Sequence, residues 1–142
     1  MNQKRINALI PIAAEHLRNS GLLKEDKGKT GIESKYFSAL SSFAPTIVQS
    51  GILKALAFYS VEDDTTGRKP TGLLVRDILF IDGFLAVSTS IKKSQSIFDI
   101  YLELIKEKST LERLHIKNRI LEAIIACKVA IMLFHKIKSD NK

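Results

Sequence analysis

A long amphipathic pattern near the end of the chain constrains the fold most. Apolar residues recur at helical spacing from residue 110 to residue 138. Just before this run, Ser109 and Glu112 have the spacing of a capping box, in which each side chain satisfies a backbone N–H group at the start of a helix. The pattern therefore predicts one long helix over residues 110–138.

This helix carries two apolar faces. The isoleucine face holds Ile120, Ile124 and Ile131, and the leucine face holds Leu114, Leu121, Ile125 and Met132. One apolar face suffices for the core of a helical bundle, so one hypothesis is that a partner covers the isoleucine face. The alternative hypothesis is a central helix inside a large core, with lysines that extend past the core to solvent.

Basic residues accompany the isoleucine face. At about 100° per residue, four of them fall within an arc of about 80°, namely Arg113, Lys117, Lys128 and Lys138. We expect these four side chains to neutralise phosphates of a nucleic-acid backbone. Weaker candidates for the same role are Lys54, Arg119 and Lys136. Because the aromatic residues lie mostly at core-like spacing, the contacts should be to the backbone and largely independent of sequence.

The rest of the chain also has mainly helical periodicity. Amphipathic or apolar segments cover residues 6–17, 36–48, 52–61, 70–80 and 97–106. Pro45 interrupts the second segment and predicts a kink, and Pro11 means that the first helix is either kinked or begins at Pro11. Residues 24–31 are predicted to form a polar loop, and residues 84–95 fit neither helix nor strand clearly. We predict one domain over residues 1–142, of the all-α class, as a compact bundle of five to six helices with a long C-terminal helix.

Composition indicates a globular protein with a polyanionic partner. The chain has 22 Lys and Arg against 15 Asp and Glu, a net charge of +7, and such a field attracts phosphate backbones. Cys127 is the single cysteine. It can form no internal disulfide, so we expect a small buried hydrophobe in a reducing cytoplasm. The longest apolar run is too short to span a bilayer, and we expect no membrane partner.

No catalytic, cofactor or metal motif is complete in the sequence. Gly28-Lys29-Thr30 looks like the end of a phosphate-binding loop, but Leu23 stands where that loop requires a glycine. No two histidines have the spacing of four that places both on one helical face. Cys127 and His135 would lie two helical turns apart, too far to share one ion. We therefore predict a protein that is not an enzyme and holds no cofactor and no metal.

Residues 36–58, YFSALSSFAPTIVQSGILKALAF, are the most distinctive segment. This segment resembles the small subunit of the type III-B CRISPR effector, the Cmr complex. The matching positions are Tyr36, Pro45, Ile47, Gln49, Gly51, Ile52, Leu56, Ala57 and Phe58. Glu122-Ala123 in the last helix also matches the family pattern. Ile52 matches only as an apolar residue, because leucine is usual there, and two further departures are Ser50 in place of asparagine and the absence of tryptophan. These departures leave the small subunit of the type III-A complex as an alternative.

The resemblance implies a helical bundle without a catalytic site that serves in antiviral defence. Copies of such subunits stack along the effector beside the larger subunits, and they contact the guide RNA and the target RNA. The expected partners are thus other effector subunits, further copies of this chain, and RNA. Two other functions stay open at this stage: a protein-only helical adaptor and a helical DNA-binding regulator.

Overall fold

The computed structural model describes residues 1–62, 65–87 and 91–138, and this part of the chain is mostly helical. Its six α-helices are α1 (Gln3–Arg18), α2 (Ser34–Ser50), α3 (Ile52–Phe58), α4 (Arg68–Asp82), α5 (Ile97–Leu104) and α6 (Thr110–Ile131). A short 3-10 helix covers Phe84–Val87, within the segment that the sequence left unassigned. Residues 88–90 of that segment lie outside the described residues. The predicted helical architecture is confirmed, but the strict all-α class is wrong.

A small sheet accounts for the difference. It contains β1 (Leu23–Asp26), β2 (Lys29–Glu33) and β3 (His135–Ile137) in the order β1-β2-β3. The first two strands pair antiparallel around Lys27 and Gly28, whose φ angles of 52° and 80° suit a two-residue hairpin turn. Residues 24–31 therefore form most of a hairpin instead of a loop. The sequence hides it because the two strands are largely polar, so they lack an apolar alternation.

The last helix is shorter than predicted. The capping box of Ser109 and Glu112 is present at the start of α6, but the helix ends at Ile131 instead of residue 138. The following backbone pairs in parallel with β2, and His135 lies opposite Gly31. A Cβ atom at Gly31 would lie 2.3 Å from the His135 carbonyl oxygen, so only glycine permits this approach. Pairing with the hairpin thus replaces the last predicted helical turns.

Helix α6 lies at the centre of the fold, against α1, α2 and α4. Its buried side includes the four small residues Ala123, Ala126, Cys127 and Ala130, which allow neighbouring helices to approach closely. The burial of Cys127 is as predicted. Helices α1 and α2 each run through a proline, Pro11 and Pro45.

A buried carboxylate joins the start of the chain to α6. The Glu122 side chain is 0% exposed and accepts two hydrogen bonds from the Arg5 guanidinium, at 2.8 and 2.9 Å. It also accepts one from the Asn2 backbone N–H, at 2.8 Å. Burial alone would raise the Glu122 pKa, but these hydrogen bonds and the nearby positive charges outweigh burial and hold the pKa below its ordinary value. The ionised form therefore stabilises the contact between α1 and α6.

Candidate nucleic-acid interface

The structure decides between the two hypotheses for the isoleucine face of α6. Ile120, Ile124 and Ile131 are only 1%, 1% and 2% exposed, so this same chain encloses the isoleucine face. The prediction that a partner covers it is wrong, and the alternative of a central helix in a large core is confirmed. On the leucine face, Leu114 is 50% exposed and Met132 is 70% exposed.

The leucine face forms an apolar surface along most of α6. Leu121 and Ile125 are half-buried near its middle. Leu111 and Val129, which lie beside it at helical spacing, are exposed. Lys117 and Lys128 border this face, so its rim is positively charged on one side. An apolar surface rimmed by polar groups is typical of protein–protein contact sites.

The four main predicted basic residues do not share one surface. Arg113, Lys117 and Lys128 lie on α6, where Arg113 and Lys128 are exposed and Lys117 is half-buried. Arg113 Nε also donates a hydrogen bond to the Lys108 carbonyl oxygen at 3.2 Å. Lys138 follows β3, because α6 ends earlier than predicted, and this residue lies in a different region of the molecule.

Arg119 is held within the fold. Its guanidinium forms a salt bridge with Asp82, and its Nε lies 3.8 Å from a Glu122 oxygen. The guanidinium carbon lies 4.5 Å from the centroid of the Phe84 ring, as in a cation–π contact. With the side chain only 17% exposed, Arg119 serves first to link α6 to the end of α4.

Lys138 helps to line a surface groove of about 490 Å³, which we call the basic groove. Two further cations line it, Lys35 at the start of α2 and Arg68 at the start of α4. Hydroxyl groups contribute as well, from residues Ser34, Ser38, Ser42, Thr65 and Thr66. None of the described residues that line the groove is acidic. Three cations and several hydroxyl groups form a surface that suits a phosphodiester backbone.

The chain brings these cations together from distant segments. Gly67 has a φ of 71°, and a Cβ atom there would lie 2.9 Å from the Tyr36 ring, so the start of α4 packs closely against the start of α2. This packing places Arg68 near Lys35, and β3 carries Lys138 to the same place. Sequence reasoning missed Lys35 and Arg68 because neither lies on a basic helical face, and no local pattern indicates the contact.

The remaining candidates, Lys54 and Lys136, lie over aromatic rings. Lys54 Nζ is 5.9 Å from the centroid of the Phe58 ring, and the Arg68 guanidinium carbon is 5.8 Å from the same centroid. Lys136 Nζ is 5.2 Å from the centroid of the Phe37 ring. Arg68 also lines the basic groove. Lys54 therefore lies beside that groove, because Lys54 and Arg68 contact the same Phe58 ring.

The described residues contain no group of three or more His, Cys, Asp or Glu side chains that could hold a metal ion. Burial raises the pKa of the Cys127 thiol, so this side chain stays protonated and is a poor nucleophile. None of the helices in the described ranges is both long and apolar enough to cross a membrane.

Comparison with known proteins gives one family. No curated protein sequence and no solved structure shows significant similarity to the chain. The sequence model of the family described as CRISPR-associated protein (Cas_Cmr5) matches residues 18–134. This range includes residues 36–58, on which the resemblance to the type III-B small subunit was based, and it spans most of the chain. The chain therefore belongs to the Cas_Cmr5 family of CRISPR-associated proteins, subunits of the type III-B effector.

Proposed function

We propose that this protein is a non-catalytic small subunit of the type III-B ribonucleoprotein, which contacts the guide and target RNA backbones and stacks along the effector in antiviral defence. The observation that carries the proposal is the basic groove, where Lys35, Arg68 and Lys138 converge from separate parts of the chain.

The groove suits RNA because its groups match a phosphate backbone. Lysine and arginine neutralise phosphates and release their counterions, while serine and threonine hydroxyls donate hydrogen bonds to phosphate oxygens. Such contacts carry no sequence information. A subunit that must accept any guide and any target sequence requires this kind of contact.

The leucine face of α6 suits a second role, packing against protein neighbours. It is apolar, exposed at both ends of the helix and separate from the groups that line the basic groove. Large exposed apolar patches favour burial in an interface. We assign this face to contacts with other effector subunits or with further copies of this chain.

Salt-dependent binding of a single-stranded RNA of about 12 nucleotides tests the first role. Each cation removed from the basic groove should reduce the slope of log Kd against log salt by about 0.7. We therefore expect lower slopes for Arg68→Ala and Lys138→Ala than for the unaltered protein. Lys4→Ala removes an exposed lysine of α1 and is the matched control. Equal slopes in all four proteins would contradict the assignment of the groove.

The α6 residues Arg113, Lys117 and Lys128 are tested in the same way. If the main RNA contact lies along α6, alanine variants of these three will change the slope and the groove variants will not. A protein-only adaptor, which the leucine face favours, would bind no RNA yet assemble with the other subunits.

A further inference from the structure

We propose that Phe58 is a stacking platform for one unpaired base of an RNA strand whose phosphates lie in the basic groove. The inference rests on the proposed function and adds a base-contacting site to it. It also assigns the ligand class, a single-stranded or locally unpaired nucleotide.

The geometry places the ring beside the groove. Phe58 is the last residue of α3 and is 40% exposed. Arg68 connects the two sites, because its guanidinium carbon lies 5.8 Å from the centroid of the Phe58 ring and its side chain also lines the groove. Lys54, one turn earlier on α3, adds a second cation at 5.9 Å from the centroid.

The backbone at Phe58 is anchored by the next residue, Tyr59. The ring of Tyr59 stacks on Phe43 at a centroid distance of 3.7 Å and an interplanar angle of 11°. Its hydroxyl donates a hydrogen bond to the Ala39 carbonyl oxygen at 2.7 Å. Tyr59 is buried, so these contacts fix the end of α3 against α2 and hold Phe58 at the surface. Because the backbone is fixed there, a base that stacks on Phe58 has to order only the Phe58 side chain.

The chemistry favours an unpaired base. Every base has a π-face that can stack on an aromatic ring, so the contact tolerates any sequence. A base inside a duplex has both faces covered by its neighbours, whereas a single strand can offer one. Lys54 and Arg68 add attraction for the neighbouring phosphates and can stack or form cation–π contacts themselves.

Two other apolar residues in this segment support an alternative interpretation, in which Phe58 contacts a protein instead of RNA. Leu53 and Val61, which lie within five residues of Phe58 along the chain, are also exposed and apolar, and a protein-docking patch is the alternative function for this segment. The two cations beside the ring favour RNA, because they attract the phosphates of a strand, whereas an apolar protein surface would bring no negative charge to them. Docking of a protein on Phe58 is therefore an outcome of the test that would overturn the proposal.

The test compares Phe58→Leu, which keeps an apolar side chain but removes the ring, with Phe58→Tyr, which keeps the ring. Val61→Ala is the control for loss of a nearby exposed apolar group. The probes are a uridine oligonucleotide of about 12 residues, the same length without bases, and the corresponding RNA duplex. Melting by circular dichroism should show that all variants fold alike, since Phe58 is partly exposed.

We expect Phe58→Leu to weaken binding of the uridine oligonucleotide about 5- to 100-fold. Phe58→Tyr and Val61→Ala should bind it as the unaltered protein does. Binding of the base-free strand and of the duplex should be the same in all four proteins, and the salt slope should not change in Phe58→Leu, because no phosphate contact is lost.

Each way in which the proposal can fail gives a different set of binding results. If the unaltered protein binds RNA with a salt slope but Phe58→Leu binds the uridine strand equally well, the stacking site is refuted and the groove survives. If Phe58→Leu keeps full RNA affinity but assembles poorly with other effector subunits, Phe58 docks protein. If the unaltered protein binds none of the probes at about 50 mM salt, both the stacking site and the RNA-contacting role are refuted.

Discussion

The two faces of α6 have nearly equal apolar character, yet one is the centre of the core and the other faces solvent. Ile124 and Ile125 are neighbours of the same residue type, but Ile124 is fully buried and Ile125 is only partly so. Hydrophobicity therefore does not decide which face a central helix buries. The small residues beside Ile124, including Ala123 and Cys127, let other helices approach on that side.

The isoleucine face and the leucine face are therefore two different kinds of apolar surface. The isoleucine face stabilises the folded chain, and its removal from water is complete within one molecule. The leucine face contributes less to folding and remains available to a partner. Three measurements test this distinction.

The largest effect should come from the paired substitutions Ile124→Ala and Ile125→Ala. The first leaves a cavity in a closed core and should lower the free energy of unfolding by about 2–5 kcal/mol. The second removes a partly exposed side chain and should cost about 1 kcal/mol. Urea unfolding of the two variants measures the difference, and equal losses would show that the faces are not energetically distinct.

A smaller effect is expected from Glu122→Gln, which removes the charge that ties the buried side of α6 to the start of the chain. Loss of the charge-assisted bonds from Arg5 should lower the free energy of unfolding by roughly 1–3 kcal/mol at neutral pH. The Glu122 pKa is lower in the folded state than its ordinary value near 4.5. The stabilisation that ionised Glu122 provides is therefore fully present above this ordinary value. It is lost as the pH falls through the pKa that Glu122 has in the folded protein.

Urea titrations at neutral pH and at roughly pH 3 check the sign. The unaltered protein should lose more stability on acidification than Glu122→Gln does. Part of the acid sensitivity should persist in the variant, because hydrogen bonds from Lys24 and from Ser109 lower the pKa values of Glu33 and Glu112. An identical acid response in both proteins would mean that Glu122 does not stabilise the fold through its charge.

The smallest effect on folding is expected on the leucine face. Leu114→Ser should change the free energy of unfolding by no more than about 0.5 kcal/mol. It should nevertheless weaken incorporation into the reconstituted effector, measured by co-purification with the defined subunits. Ile81→Ser alters an exposed apolar residue of α4 and serves as the control. Normal incorporation of Leu114→Ser would remove the leucine face from the proposed interface.

Patterns among neighbouring residues predicted the helices better than they predicted which distant segments lie together. The capping box at Ser109 and the periodicity of α6 are properties of neighbouring residues, so the sequence reveals them. The strand β3 depends on a glycine about a hundred residues earlier, at position 31, and no local pattern records that pairing.

The candidate site shows the same limit. Lys138 was predicted as a phosphate contact on a helical face, but the structure places it beside Lys35 and Arg68 through tertiary contacts. Arg119 looked available from its charge alone, whereas its side chain is engaged by Asp82 and Phe84. In both residues the outcome depends on long-range packing, which residue type and helical spacing do not specify. The sequence also left open which face of α6 is buried, because both faces are apolar.

The parallel pairing of β3 with β2 also imposes an order on folding. Residues 31–33 are synthesised early and residues 135–137 late, so this pairing must close a loop of most of the chain. Lys138 reaches the groove only once that loop has closed. A nascent chain that has folded its first helices still lacks Lys138 in the basic groove, so the RNA contact that we propose would be complete only after the last strand has docked.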